Sequence, residues 1–169
     1  MQNSLRFTCT AAAALAFAAF APNAIAQEVF KFSCQAVGGS GTPEPLGDRE
    51  GHNITVLTAS CRNAGGVLDG SLTTAQEIWE WDGPNAKMLL ESGVIRKPGA
   101  IATFELTEGK IALTMTDGKV TGFTASGKGR YPTATGTAAS VAGKSWTWKS
   151  WPAGAGQWEG EATLDVTSQ

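Results

Sequence analysis

The sequence predicts an all-β chain, folded as one small antiparallel barrel of about eight strands. Three observations carry this. Apolar and polar residues alternate with a period of two, most clearly over residues 157–166, where Trp158, Gly160, Ala162, Leu164 and Val166 share one face and acidic or polar residues share the other. Turn dipeptides recur at short intervals, with Asp117-Gly118 the best hairpin signal because both residues tolerate positive φ. Apolar spacing of three and four is hard to find after residue 26. Eight or nine short strands in one domain fit a barrel or a sandwich, and closing the sheet removes its exposed edges.

Residues 1–26 read as an export signal: Arg6, then a short apolar run, then Ala24-Ile25-Ala26 as a small-x-small cleavage site. The run is shorter than the roughly 20 residues a membrane span needs. Residues 27–169 form the single domain, placed in the periplasm or outside the cell. The first strand is expected at 29–37 and the second at 54–61. Residues 67–81 read as one long strand or a bent pair. Over 84–92 a helix starting at Pro84 competes with a strand, and the strand is preferred. Residues 100–106 and 110–116 suggest a hairpin around Glu108-Gly109, followed by strands at 119–130, 133–141 and 144–151. Loop 38–53, rich in Gly, Pro and charge, is long enough to act as a lid or rim. Residues 151–156 read as a breaker.

The 169-residue chain carries a formal charge of −2 and no basic cluster, which disfavours nucleic acid and anionic membranes as partners. Beyond the leader, Cys34 and Cys61 remain. A structural disulfide is the expectation, because no Cys-x-x-Cys occurs and His52 is the sole histidine available for a metal. No metal or cofactor motif, nucleophile elbow or phosphate loop is present. Asn53-Ile54-Thr55 matches a glycosylation sequon, read as coincidence beside a bacterial-looking leader.

Six tryptophans are clustered. On alternating strands Trp79 with Trp81, and Trp146 with Trp148, each present two indoles to one face. They either fill a core or line a pocket for a small apolar or aromatic molecule. Glu77 alternates onto the face of Trp79 and Trp81, where burial would raise its pKa, unless it sits in water near a strand end. Arg130 could pair with such a carboxylate or bind an anionic ligand group, with surface solvation the commoner fate. Tyr131, held extended by Pro132, would cap the barrel or line its mouth. His52 lies in a polar loop with Asp48, Arg49 and Glu50, where solvation is the ordinary outcome.

One phrase bears a family likeness. Gly127-Lys128-Gly129-Arg130-Tyr131 followed by Ala134-Thr135-Gly136 resembles the Gly-x-Gly-x-(Tyr/Phe)-x-x-Ala-x-Gly phrase of the allene oxide cyclase and dirigent barrel group, over roughly residues 110–166. Gly-Arg-Tyr and the Trp146–Lys149 run bear a more distant likeness to the avidin barrel. The first resemblance implies a cofactor-free cyclase or isomerase that shapes a reactive ligand, with Glu77, Arg130 and Tyr131 as catalytic candidates. The residues themselves favour a binding barrel with Trp79, Trp81, Trp146 and Trp148 around the ligand. A filled barrel with a structural or host-facing role is the third expectation. Oligomeric state is left open.

Overall fold

The structure is a computed structural model that describes residues 27–38 and 41–165; the export-signal reading of residues 1–26 and the placement of Val166 lie outside them. Nine antiparallel strands follow in chain order: β1 (Val29–Ala36), β2 (Glu44–Pro45), β3 (His52–Ala64), β4 (Leu72–Asp82), β5 (Asn85–Lys97), β6 (Ala100–Thr116), β7 (Lys119–Ala134), β8 (Ser145–Gly154) and β9 (Gln157–Leu164). From β3 to β9 each strand pairs with the next, β1 pairs with β9, and β1 also pairs with β3, so eight strands close into a barrel. The two-residue β2 extends the edge of β3 beyond the end of β1.

Closure happens at the β1–β3 seam, where Cys34 and Cys61 stand directly opposite each other. Their disulfide spans a Cα–Cα distance of 4.0 Å and staples the seam from the lumen side. A loop of this length is stabilised by about 3–4 kcal/mol in the chain-entropy account. The sheet therefore meets itself where a covalent bond fixes the register.

One end of the barrel is plugged. Two short 3-10 segments, Gly66–Leu68 and Gly136–Val141, fold across it. They bury Leu68, Ala138 and Val141 against Tyr131, Trp146 and Leu164. Trp146 sits at the centre of this floor, with Tyr131 stacked on it at a centroid distance of 5.6 Å, and Phe30 and Phe104 tilted against it. At the other end lie the hairpins β4–β5, β6–β7 and β8–β9 and the β1–β3 loop. Lining side chains such as Leu57, Leu113 and Phe123 are only half-buried there.

Four expected elements differ from the observed ones. Residues 66–71 break the expected 67–81 strand with a 3-10 turn, because Leu68 drops into the floor. The expected hairpin at Glu108-Gly109 is a continuous 17-residue strand, β6. Gly109 is there for space: a Cβ on it would lie 3.1 Å from Trp79 Cη2 and 3.0 Å from Met88 Cβ. Residues 133–141 are a strand only as far as Ala134. Gly136, at φ +60° and packed against the Gly99 carbonyl, turns the chain into the second plug. Finally β8 runs on to Gly154, through the segment expected to break it. Residues 84–92 are strand, and Asp117-Gly118 is the expected hairpin turn, with φ values of 51° and 73°.

The glycines of the 127–136 phrase have a specific task. Gly127 and Gly129 lie mid-strand in β7, opposite Trp148 and Trp146 of β8. A Cβ on Gly129 would fall 2.5 Å from Trp146 Cζ2 and 2.9 Å from Leu106 Cδ2. Gly160 faces Phe32 and Gly93 faces Phe104 in the same way. Each glycine is the seat of an aromatic ring on the next strand. Overpacking of this kind costs about 1–3 kcal/mol, so Gly129→Ala should lower unfolding free energy by that amount in urea denaturation. Gly122→Ala, whose Cβ meets nothing closer than 3.7 Å, should leave stability within about 0.5 kcal/mol of the parent or raise it.

Candidate functional site

The barrel is not filled. Above the floor lies a cavity of about 340 Å³, lined from Tyr131 and Trp146 at the closed end to Gly41, Pro43 and Gly156 at the open one. Its wall is predominantly apolar and aromatic. Trp79, Trp81, Trp146 and Trp148 all line it, as does Trp158. The alternation of β4 and β8 puts each pair of indoles on the inner face. Trp79 and Trp146 are buried, while Trp81 and Trp148 are half-exposed towards the cavity. Trp81 Nε1 donates to Thr55 Oγ1 at 2.9 Å.

Two carboxyls enter this apolar space. Glu77 of β4 is only 7% exposed, and it faces Glu91, its direct cross-strand partner on β5. Both line the cavity. Residues directly opposite hold their Cβ atoms about 4.5–5.5 Å apart, so the two carboxyls share one neighbourhood. Trp79 Nε1 donates to Glu77 Oε2 at 3.0 Å. Among the described residues, no hydrogen bond reaches the carboxyl of Glu91. Burial pushes Glu77 up to about 7, with the Trp79 hydrogen bond opposing the rise. Glu91 is raised well above the usual carboxylate range, first by burial and then by the charge of Glu77. Two like acids side by side on an apolar wall, with Glu77 buried and Glu91 half-buried, cannot both ionise cheaply.

Sequence reasoning placed Glu77 beside the indoles but missed Glu91. The reason is a bulge. Between Ile78 and Trp79 the pairing slips by one residue, so that Leu89 is extra on β5, and Leu89 and Leu90 both point outward. Strict alternation across this point assigns Glu91 to the wrong face relative to Met88 and Ala86.

The other predicted residues divide. Tyr131 is 1% exposed and belongs to the floor, where it caps the barrel; burial raises its pKa and keeps the phenol protonated. Arg130 does not join the cavity. With Gly129 and Tyr131 turned inward, it must point out, and its exposed guanidinium pairs with Glu105, with Nε donating to Oε1 at 2.5 Å. It takes the surface position that is the ordinary fate of such a residue, and this outer-face bridge stands in place of a pairing with Glu77. His52 also lies outside the lumen. Its Nδ1 is 2.5 Å from Asp48 Oδ1 and its Nε2 2.9 Å from Glu80 Oε1. These contacts raise the pKa of His52, Glu80 first and Asp48 second, and tie the β1–β3 loop to β4. Deeper in the lumen, Asn63 Nδ2 donates to Ser71 Oγ and Thr73 Oγ1, so this amide is satisfied internally.

Among the described residues no helix is long and apolar enough to cross a membrane, and no group of three or more His, Cys, Asp or Glu side chains could hold a metal ion. Comparison with protein-family models, with curated proteins and with solved structures returns no match for this chain.

The carboxyl pair has a stability signature. Because Glu77 and Glu91 keep their protons in the fold at pH values where an unfolded chain has released them, the native state binds more protons above about pH 4.5. Stability from these groups is greatest at low pH and declines as pH rises towards their folded values, by about 1.4 kcal/mol per pH unit per group. Gln is a neutral isostere that can still accept from Trp79. The Glu77→Gln variant should therefore match the parent near pH 4 and exceed it in melting temperature at pH 7, measured by thermal denaturation across pH.

Proposed function

We propose that this barrel is a binding module that holds a small apolar or aromatic molecule in its tryptophan-lined lumen. The observation that carries the reading is the open cavity of about 340 Å³, which falls in the size range of small-molecule sites and has their usual make-up, an apolar wall with a few convergent polar groups. A structural barrel would gain stability by filling that space, since voids cost contacts. Export to an oxidising compartment agrees with the Cys34–Cys61 disulfide, a bond that persists there and is rare in reducing cytosol. The leader-like residues 1–26 support the same placement.

A second reading rests on Glu77. An acid poised at about 7 on the wall of an apolar lumen suits proton transfer, and the likeness of the 127–136 phrase to the allene oxide cyclase and dirigent group favours a cofactor-free cyclase or isomerase. In that case Glu77→Gln abolishes turnover of the reactive ligand and leaves its affinity intact. Arg130, on the outer face, has no part in either reading.

The binding reading is tested with N-phenyl-naphthylamine, a neutral fluorophore that brightens in apolar surroundings. Saturable enhancement with a one-to-one endpoint is expected, with energy transfer from the lumen tryptophans. The Leu57→Trp variant, which narrows the open end, should weaken binding at least about tenfold, or about 1.4 kcal/mol. Absence of saturable binding by any of a panel of neutral aromatic probes overturns the proposal.

A further inference from the structure

We infer that the ligand of the lumen is a lipophilic amine, whose protonated nitrogen sits between Glu77 and Glu91 while its apolar body lies against the tryptophan wall. The inference rests on the lumen being a ligand site and adds the chemistry of the ligand's head group.

Among the described residues, the lumen lacks a counter-charge for its acids. Two carboxyls face each other inside the cavity, and among the described residues no lysine, arginine or histidine lines it. The other titratable group in the lining is Tyr131, at the floor. The strands around the pair bring only uncharged groups to it: Leu57 from β3 opposite Glu77, Phe104 and Leu106 from β6, and Trp148 and Ser150 from β8. Of the other charged residues on the same strands, Glu80 and Lys87 pair with each other on the outer face, Asp82 pairs with Arg49, Lys97 donates to the carbonyls of Val67 and Asp69, and Arg96 is exposed. Neutralisation of the pair must therefore come from protons or from something that enters.

The hydrogen bonds of the lumen leave two indole donors, Trp146 Nε1 and Trp148 Nε1, without a partner among the described residues, and they leave acceptors open at the carboxyl pair. Glu77 is more than nine-tenths buried, yet a single donor reaches it, through Oε2. Glu91 accepts no hydrogen bond from any described residue, and it borders the cavity. An ammonium group carries three donors and matches these free acceptors. Buried carboxylates of this kind are tolerated when paired with a cation, and charge-assisted bonds to them are about twice as strong as neutral ones. Indole faces nearby favour a cation further through their quadrupole. A divalent metal fits poorly, since no third ligating carboxylate, histidine or thiol is within reach among the described residues.

Proton balance gives the proposal its distinctive readout. Burial holds protons on the pair and an ammonium ion favours its ionised form, so binding shifts the pair towards ionisation and releases protons to the solvent. A neutral analogue of equal shape causes no such shift.

The experiment is isothermal titration calorimetry at pH 7 with naphthylmethylamine and naphthylmethanol, in two buffers of different ionisation enthalpy. The amine is expected to bind at least about tenfold tighter than the alcohol, with net proton release that the alcohol lacks. In Glu91→Gln the amine should lose that preference and its proton release, while retained alcohol binding shows an intact lumen. Equal affinities in the parent protein, or a preference that survives Glu91→Gln, overturns the amine inference and leaves the apolar site standing. If neither compound binds, both the amine inference and the binding reading fall.

Discussion

The closed eight-stranded wall depends on one steric exchange, an aromatic ring on one strand against a bare glycine on the next. The interior of a barrel of this size is just wide enough for side chains or one small ligand. Here several large rings enter it, and Gly127, Gly129, Gly160 and Gly93 give up their side chains to Trp148, Trp146, Phe32 and Phe104. Ring against backbone lowers each aromatic to the wall. The centre of the lumen stays open above the floor, and the wall becomes smooth and apolar. Without these seats the same aromatic residues would meet in the middle and fill the space.

The second organising feature is the contrast between the two ends. At the floor, the plugs put Leu68, Val141 and Tyr131 at 1% exposure, and Trp146 joins Phe30, Phe104 and Tyr131 into one packed layer. At the open end, the His52 cluster holds the long β1–β3 connection to the wall while leaving the lumen accessible, and the Cys34–Cys61 staple fixes the β1–β3 seam below it. Between them stands the carboxyl pair, halfway along β4, in surroundings that disfavour its charge. A fold that aimed only at stability would have placed apolar residues there, since a buried acid without a partner is costly. Its presence ties the geometry of the lumen to chemistry.

Much of this was legible in the chain. Alternation gave β9 and the inward pairing of Trp79 with Trp81 and of Trp146 with Trp148, and Asp117-Gly118 gave a hairpin. Two cysteines after residue 26 and no Cys-x-x-Cys gave the disulfide. The glycine phrase pointed to a barrel, but its reason, seating two indoles, needs the β7–β8 register, which is a property of the folded sheet. Glu91 was hidden for a similar cause: one extra residue at Leu89 inverts every face assignment beyond it. The plugs at 66–68 and 136–141 escaped because their apolar residues continue the strand pattern locally and turn inward only where the floor receives them. Arg130 misled through proximity, since sequence neighbours on a strand stand on opposite faces.

The central claim is that two carboxyls share an apolar lumen with no counter-charge of their own. Isotope-edited NMR of the glutamate side-chain carboxyl carbons, followed across pH, measures this directly. The account predicts that Glu77 titrates at about 7, that Glu91 remains protonated to higher pH, and that Glu77→Gln lowers the Glu91 midpoint by removing its charged neighbour. Titration of both groups near the ordinary glutamate value of about 4.3, independent of each other, would contradict it.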